Sequence, residues 1–334
     1  MPIDRTISKQ RTALLTSICL TLLKTVPSAE LHVDASALSL DRLRNLSKSQ
    51  IADLSLDSNL GPIRLAELFE IDLNTSPCNH TGPTESWSDD ALILRGTLNH
   101  FRGLCASTAS GTTVVLGDVG DDFAKSQRGG NLFVDGSVGQ RALADKRDGL
   151  ALIRADAGDN FGCPLPGKLQ GIQGGDSIVL GNLGHRACER MRRGTICVAG
   201  NAGNHLAHQW IAGTILAMGT LGPHFGTQMR RGSLIVPSKR PEAPGASLSP
   251  YRSLELSFLP ILWRYLHRLI LHAASCPWLD TAFQARCNQL ASQIPTTRQV
   301  LRAIGDLECQ GQGEVLVLQE NQHRSDQPPR NPTT

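Results

Sequence analysis

The sequence predicts an all-β solenoid: a right-handed β-helix of glycine-rich coils, with a small mixed entry segment before it and an α-rich extension after it. Three observations carry that prediction. The first is a period: Gly111, Gly130, Gly149, Gly175, Gly194, Gly213 and Gly232 fall 19 residues apart, except for one step of 26 that holds a 7-residue insertion. A fixed period near 20 residues means a stacked repeat. The second is a pair of glycines 6 and 9 residues behind these starts, as in Gly117/Gly120, Gly136/Gly139, Gly181/Gly184, Gly200/Gly203 and Gly219/Gly222. The third is a set of apolar columns, of which Val115, Val134, Ile153, Val179, Val198, Ala217 and Val236 form the plainest.

Each repeat opens on a short strand, because apolar residues two apart share one face of an extended chain. A polar column follows between the paired glycines: Asp118, Ser137, Asp156, Asn182, Asn201 and Thr220. Short polar side chains beside glycine mark tight corners, where glycine supplies positive φ and Asn, Asp or Ser bond the local backbone. After the corner come a second apolar column (Val119, Val138, Ala157, Leu183, Ala202, Leu221) and a third that alternates large with small (Phe123, Ala142, Phe161, Ala187, Leu206, Phe225). Nineteen residues are too few for a strand and a crossover helix, so the economical expectation is that each coil pairs with its neighbours.

Four regions follow. Residues 12–91 are an entry segment without repeats, in which Ile18–Thr25 reads as a first strand, Ser39–Ser47 as a short helix and Thr75–Asp90 as a loop. Residues 92–236 hold the repeats, and Pro237–Pro250 breaks them. Residues 251–318 read as helices over Ser257–Ala274, Leu279–Ala291 and Arg298–Leu307 and a strand over Glu314–Leu318, the helices expected to cover an open end of the stack. Residues 319–334 read as a disordered tail. Met1–Arg11 reads as a leader, and the apolar stretch after it is broken by polar residues and lacks a signal-peptide cleavage pattern, which predicts a cytoplasmic protein.

Composition narrows the function. A net charge of +3 over 334 residues, with no basic block interleaved with aromatics, speaks against nucleic acid, and no apolar span speaks for a membrane. Nine scattered cysteines show no metal-finger spacing and suit a reducing compartment, with Cys188 and Cys197 as small fillers. No dinucleotide fingerprint, nucleophile elbow, phosphate loop or paired-carboxylate site is present. The sharpest polar column is Asp122, Arg141, Asn160, Arg186, His205 and His224, with His185 beside it and His208 three residues beyond His205. Adjacent imidazoles suit a metal or a pH sensor. No thiolate or carboxylate column accompanies them, so the plainer reading, an interface built on Arg186, His205 and His224, is preferred. Arg190, Arg192, Arg193, Arg230 and Arg231 recur near coil ends. A phosphate- or polyglutamate-binding stripe is one reading, solvated or interfacial arginine the plainer one. No catalytic, cofactor-binding or metal-binding residue is assigned.

The glycine corners resemble the glycine-motif β-helix found in two groups of proteins. One is the glycine-motif subunit of formylmethanofuran dehydrogenase, including its bacterial counterpart in the formyltransferase/hydrolase complex. The other is the carboxy-terminal domain of the glutamate synthase large subunit. Ile18-Cys-Leu-Thr-Leu, Val33-Asp-Ala-Ser-Ala-Leu, Ile63-Arg-Leu-Ala-Glu-Leu-Phe, Met229-Arg-Arg-Gly-Ser-Leu-Ile-Val and Gly305-Asp-Leu with Gly311-Gln-Gly-Glu-Val-Leu-Val are similar to the pattern of the first group. The chain departs from it 13 and 16 residues after the starts, where the family tends to place Gly and Met. Here Ala124, Leu143, Cys188 and Ala207 take the first position, and Gln127, Lys146 and Trp210 the second. The resemblance implies a non-catalytic subunit that organises formyl transfer between tetrahydromethanopterin- and methanofuran-type carriers with release of formate. It implies formyltransferase, amidohydrolase-like and dehydrogenase-like partner subunits, and metals only in those partners. The alternatives are a glutamate synthase-like domain in nitrogen metabolism, which lacks these flanking segments, and a left-handed acyltransferase, whose coils of about 18 residues the observed period contradicts. The family spans oxidoreductase and hydrolase complexes. With 7 Lys and 10 Glu against 26 Arg, the balance opposes that of hyperthermophiles and favours the bacterial hydrolase form.

Overall fold

The computed structural model describes residues 15–23, 31–76, 90–237, 240–242 and 245–319. The opening segment contains β1 (Leu15–Leu22), β2 (Val33–Asp34), α1 (Leu40–Leu43), α2 (Lys48–Ala52), β3 (Ser55–Ser58), β4 (Ile63–Arg64), α3 (Leu65–Leu68) and β5 (Phe69–Ser76). The repeats contribute β6 (Asp90–Arg95), β7 (Phe101–Arg102), β8 (Thr112–Leu116), β9 (Asn131–Val134), β10 (Leu150–Ile153), β11 (Asp176–Val179), β12 (Thr195–Val198), β13 (Thr214–Ala217) and β14 (Ser233–Val236). The closing segment adds β15 (Arg252–Glu255), α4 (Leu259–Ala274), α5 (Thr281–Gln293), β16 (Gln299–Gly305) and β17 (Gly313–Leu318).

These strands form one mixed sheet of 13, ordered β15-β16-β17-β14-β13-β12-β11-β10-β9-β8-β6-β1-β5, and a second of four, β4-β3-β2-β7. This overturns the expectation of an all-β, right-handed solenoid. The strands at the heads of the repeats pair in parallel and in register, Val134 with Val115 and Ile153, Val179 with Ile153 and Val198. The second apolar column makes only single-residue bridges, from Leu98–Val119 through Ala202–Leu221. A glycine corner on one side and a run of left-handed residues on the other leave room there for one extended residue, so no further strand of the large sheet grows from it. Beyond the repeats, β1 pairs antiparallel with β5, and β16 antiparallel with both β15 and β17. A 19-residue period cannot encode those pairings.

The two faces of the large sheet bury different sets of residues. One face carries Val115, Val134, Ile153, Val179, Val198 and Val236, all buried with the Phe123, Phe161 and Phe225 column. The other carries Val114, Phe133, Leu152, Ile178, Cys197, Leu216 and Ile235 and packs against α4 and α5 through Trp263, Leu266, Ile270, Phe283 and Leu290. The helices therefore cover a face of the sheet, not an end of a stack. Pro260 sits in the first turn of α4, where no helical N–H is lost. Asp280 caps α5 by accepting from the Phe283 N–H at 2.7 Å. The helix expected over Arg298–Leu307 is instead mostly strand β16, held between β15 and β17. The leader Met1–Arg11, most of the Thr75–Asp90 loop and all but the first residue of the 319–334 tail lie outside the described residues.

The corner glycines have a different cause from the expected positive φ. The repeat-start glycines do adopt it, from +68° at Gly130 to +117° at Gly213. At Gly136, Gly139, Gly200 and Gly203 the constraint is close approach: a Cβ on Gly200 would lie 2.5 Å from the Gly181 carbonyl oxygen and 2.6 Å from Asn182 Oδ1. The polar column also acts between repeats. Ser137 N–H donates to Asp118 Oδ1, Asn182 N–H to Asp156 Oδ1, Asn201 N–H to Asn182 Oδ1 and Thr220 N–H to Asn201 Oδ1, at 2.7–2.9 Å. Each corner side chain satisfies the backbone of the next repeat, which pins register and spacing together. Gly200→Ala is expected to cost about 1–3 kcal/mol by overpacking. Chemical unfolding checks this, and an unchanged midpoint would show that the corner can relax.

Candidate interaction surface

The column Asp122, Arg141, Asn160, Arg186, His205 and His224 lies on the side of each repeat beyond the second corner. All six residues are left-handed, with φ from 54° to 63°. The residues two positions on are left-handed as well: Ala124, Leu143, Gly162, Cys188, Ala207 and Gly226, at φ from 51° to 67°. L-residues pay roughly 1–2 kcal/mol for that conformation, which explains why glycine suits the position and why its absence here is a strain. The alternation turns the large-and-small column inward and the polar column outward. Phe123, Ala142, Phe161, Ala187 and Leu206 are fully buried beside it.

The column changes chemistry along its length. At one end Asp122 is buried and accepts from Arg141 Nε at 2.7 Å and Nη2 at 3.0 Å, and also from Arg102 Nε. Burial pushes the Asp122 carboxyl up, but the guanidiniums of Arg141 and Arg102 outweigh it and hold it below the ordinary carboxylate value. At the other end Arg186 is exposed and donates twice to Glu189 Oε2, at 3.0 and 3.2 Å. His205 stacks on His224 with ring centroids 4.8 Å apart and planes 18° from parallel. His208 meets His205 edge-on at 6.0 Å and shares a 3.0 Å hydrogen bond with Thr227 Oγ1. His185 Nδ1 accepts from the Asn204 N–H at 3.0 Å and so belongs to the corner ladder. Arg186, His205 and His224 are thus brought onto one surface. Among the described residues no group of three His, Cys, Asp or Glu side chains has metal-holding geometry.

Partial desolvation lowers the His205 pKa first, and the neighbouring His224, Arg186 and His185 lower it further. His205 is therefore expected to take its proton at a lower pH than a free histidine, and His224→Ala to move that titration upward. Imidazole chemical shifts followed against pH decide it. A titration unmoved by His224→Ala would mean that the rings do not sense each other.

The arginines near the repeat ends divide. Arg190, Arg192 and Arg230 line an open groove of about 820 Å³ with Gln170, Gln209 and Gln228, whereas Arg193 and Arg231 stand exposed outside it. Arg190 Nε donates to Gln209 Oε1 at 2.6 Å, and Gln209 Nε2 to Gln228 Oε1 at 2.8 Å. Asp306, at the groove wall, is buried and accepts from the backbone N–H groups of Gln228, Ser247 and Glu308 at 2.9–3.2 Å, tying the closing segment to the last repeat. Sequence reasoning overlooked three residues. Arg102 precedes the regular repeats, Asp306 acts across a long loop, and Lys146 is wholly buried in a column it shares with Met191 and Met229. For Lys146 a signal existed, since it replaces a methionine in that column. Cys188 and Cys197 are buried fillers whose thiols burial pushes up to about 12.

No protein-family model and no curated protein matches the sequence. Among solved structures, the chain is similar to one in the crystal structure of the formyltransferase/hydrolase complex (FhcABCD) from Methylorubrum extorquens in complex with methylofuran. Identity is 27%, the match covers 90% of this chain and 100% of that one, and the TM-score is 0.71. That complex is described as a transferase and hydrolase, which lends no support to an oxidoreductase reading. Among the described residues no helix is long and apolar enough to cross a membrane.

Proposed function

We propose that this chain is a non-catalytic component of a formyltransferase/hydrolase-type complex, occupying the place of its glycine-motif subunit. The observation that carries the reading is the likeness to a chain of such a complex over that chain's whole length and 90% of this one. In the proposed assembly the partner subunits are a formyltransferase, an amidohydrolase-like subunit and a dehydrogenase-like subunit. They move a formyl group from a tetrahydromethanopterin-type to a methanofuran-type carrier and release formate in the cytoplasm, with any metal held by the partners. What supports a structural role is how the repeats use their polar side chains. Asp118, Asp156, Asn182 and Asn201 hold the neighbouring backbone, and Asp122 holds two arginines. The histidine stack meets no carboxylate that would orient it as a base. Arg186, His205 and His224 instead offer a polar contact surface to a partner.

The test is co-expression with the three partner subunits, followed by activity measurements on the complex and on the isolated chain. The complex is expected to turn over and the isolated chain to be inert. A triple charge change, Arg186→Glu with His205→Asp and His224→Asp, should weaken assembly about tenfold or more, because like or missing charges at a contact cost that much. Turnover by the isolated chain, abolished by His205→Ala, would show that it is an enzyme. A chain that never co-purifies with those subunits would remove it from the complex.

A further inference from the structure

Helix α4 carries two apolar stripes on opposite sides. Leu259, Trp263, Leu266, Ile270 and Ala273 point into the sheet and are buried. Ile261, Arg264, Tyr265, Arg268, Leu271 and His272 recur at helical spacing on the other side. There Ile261 is 66% exposed, Tyr265 46% and Leu271 40%, and Phe258, at the helix start, adds another exposed ring. These four are half of the large exposed apolar side chains among the described residues, gathered on one helix, so they form a patch and not scattered surface residues. A groove of about 730 Å³ runs along the stripe.

The charge of the stripe is one-sided. The helix contains two arginines and two histidines and no acidic residue. Among the described residues neither Arg264 nor Arg268 forms an ion pair. Arg264 Nε donates only to the Pro260 carbonyl of its own helix, at 3.3 Å. The Tyr265 hydroxyl is anchored on Asp176 Oδ2 at 2.6 Å, which holds the ring upright in the stripe. Burial leaves the His272 imidazole with a lowered pKa, so near neutral pH the two guanidiniums carry the stripe's charge.

We propose that this stripe docks an amphipathic segment of a partner protein whose apolar anchors are flanked by carboxylates. It rests on the reading that the chain works in an assembly, but it uses a face made by α4, away from the histidine column. Other occupants fit less well. A second copy would bring Arg264 and Arg268 against themselves. The chain's own last residues, 319–334, contain no large apolar side chain, and its first 14 carry Arg5, Lys9 and Arg11 against Asp4 alone. A carboxylate-flanked partner answers both the apolar anchors and the unpaired guanidiniums.

The experiment titrates the full chain with two synthetic amphipathic helical peptides that share one leucine stripe, one flanked by glutamates and the other by lysines. Fluorescence anisotropy reports binding. The glutamate peptide is expected to bind about tenfold tighter or more. Arg268→Glu should reverse that preference, and Ile261→Ser should weaken both peptides, each without moving the melting temperature, since both side chains are exposed. Equal affinity for the two peptides, or no binding of either, overturns the proposal. So does binding to phosphatidylserine vesicles that the glutamate peptide fails to displace, or a concentration-dependent dimer lost in Ile261→Ser. The readout needs no other subunit, so its failure stays distinct from failure of the co-purification test.

Discussion

Val179→Asp is expected to abolish folding of the chain. Val179 is completely buried in β11 and lies in register between Ile153 of β10 and Val198 of β12. Its face of the sheet is an apolar stack that offers an introduced carboxylate no cation. An unpaired buried charge costs on the order of 3–5 kcal/mol, against a total stability of about 5–15 kcal/mol for a typical domain. Neighbouring strands fix the position from both sides, so the site cannot open to water without breaking two ladders. Val179→Ala keeps the experiment readable if the aspartate variant yields no soluble protein. It removes two methyl groups from a site that cannot collapse, and about 2 kcal/mol should be lost. Urea unfolding followed by circular dichroism measures both variants. A Val179→Asp chain that unfolds at the parent midpoint would mean that this column is not the core.

Much of that column was legible in the sequence because its cause is local. Strand residues two apart share a face, and a 19-residue step repeats the arrangement, so stacked identical positions announce themselves. What decides the architecture is not local. Leu15–Leu22 pairs with Phe69–Ser76 across more than forty residues, and Gln299–Gly305 is a strand only because β15 and β17 flank it. Taken alone, Gln-Val-Leu-Arg-Ala-Ile suits a helix as well as a strand, and tertiary pairing overrides that propensity. The repeat was therefore visible while the mixed sheet was not. At the candidate surface the column of Arg186, His205 and His224 followed from spacing. The orientation of each side chain did not: Arg186 turns to Glu189, and His185 turns inward to the Asn204 N–H. The corner side chains showed the same limit. Their identity marked the turn, but only the structure shows that they bond the next repeat and not their own.

Lys146→Met is expected to stabilise the protein, and by an amount that depends on pH. Lys146 occupies one column with Gln127, Ile172, Met191, Trp210 and Met229, as the repeating bonds Gln173 N–H to Lys146 O, Arg192 N–H to Ile172 O and Ile211 N–H to Met191 O establish. It is wholly buried, and its ammonium donates to Ser177 Oγ at 3.0 Å and to the Asp176 carbonyl. Desolvation pulls its pKa from the ordinary 10.5 down to about 7, with Asp176 and Asp148 opposing the shift. Below pH 7 the lysine is protonated in both folded and unfolded chains, and folding bears the whole cost of burying the charge, on the order of 5 kcal/mol for a shift of this size. Between pH 7 and 10.5 the unfolded chain holds a proton that the folded chain lacks, so stability rises with pH across that window and the cost is gone above it. Methionine, already present at Met191 and Met229, removes the charge but leaves Ser177 and the Asp176 carbonyl without a donor, at about 1 kcal/mol each. The net gain should be about 3 kcal/mol at pH 6, vanishing or turning slightly negative near pH 10.5. Urea unfolding of parent and variant at both pH values isolates the effect, because groups that titrate in both chains cancel in the difference. Parallel pH dependences, or a variant less stable than the parent at pH 6, would mean that Lys146 reaches water in the folded protein.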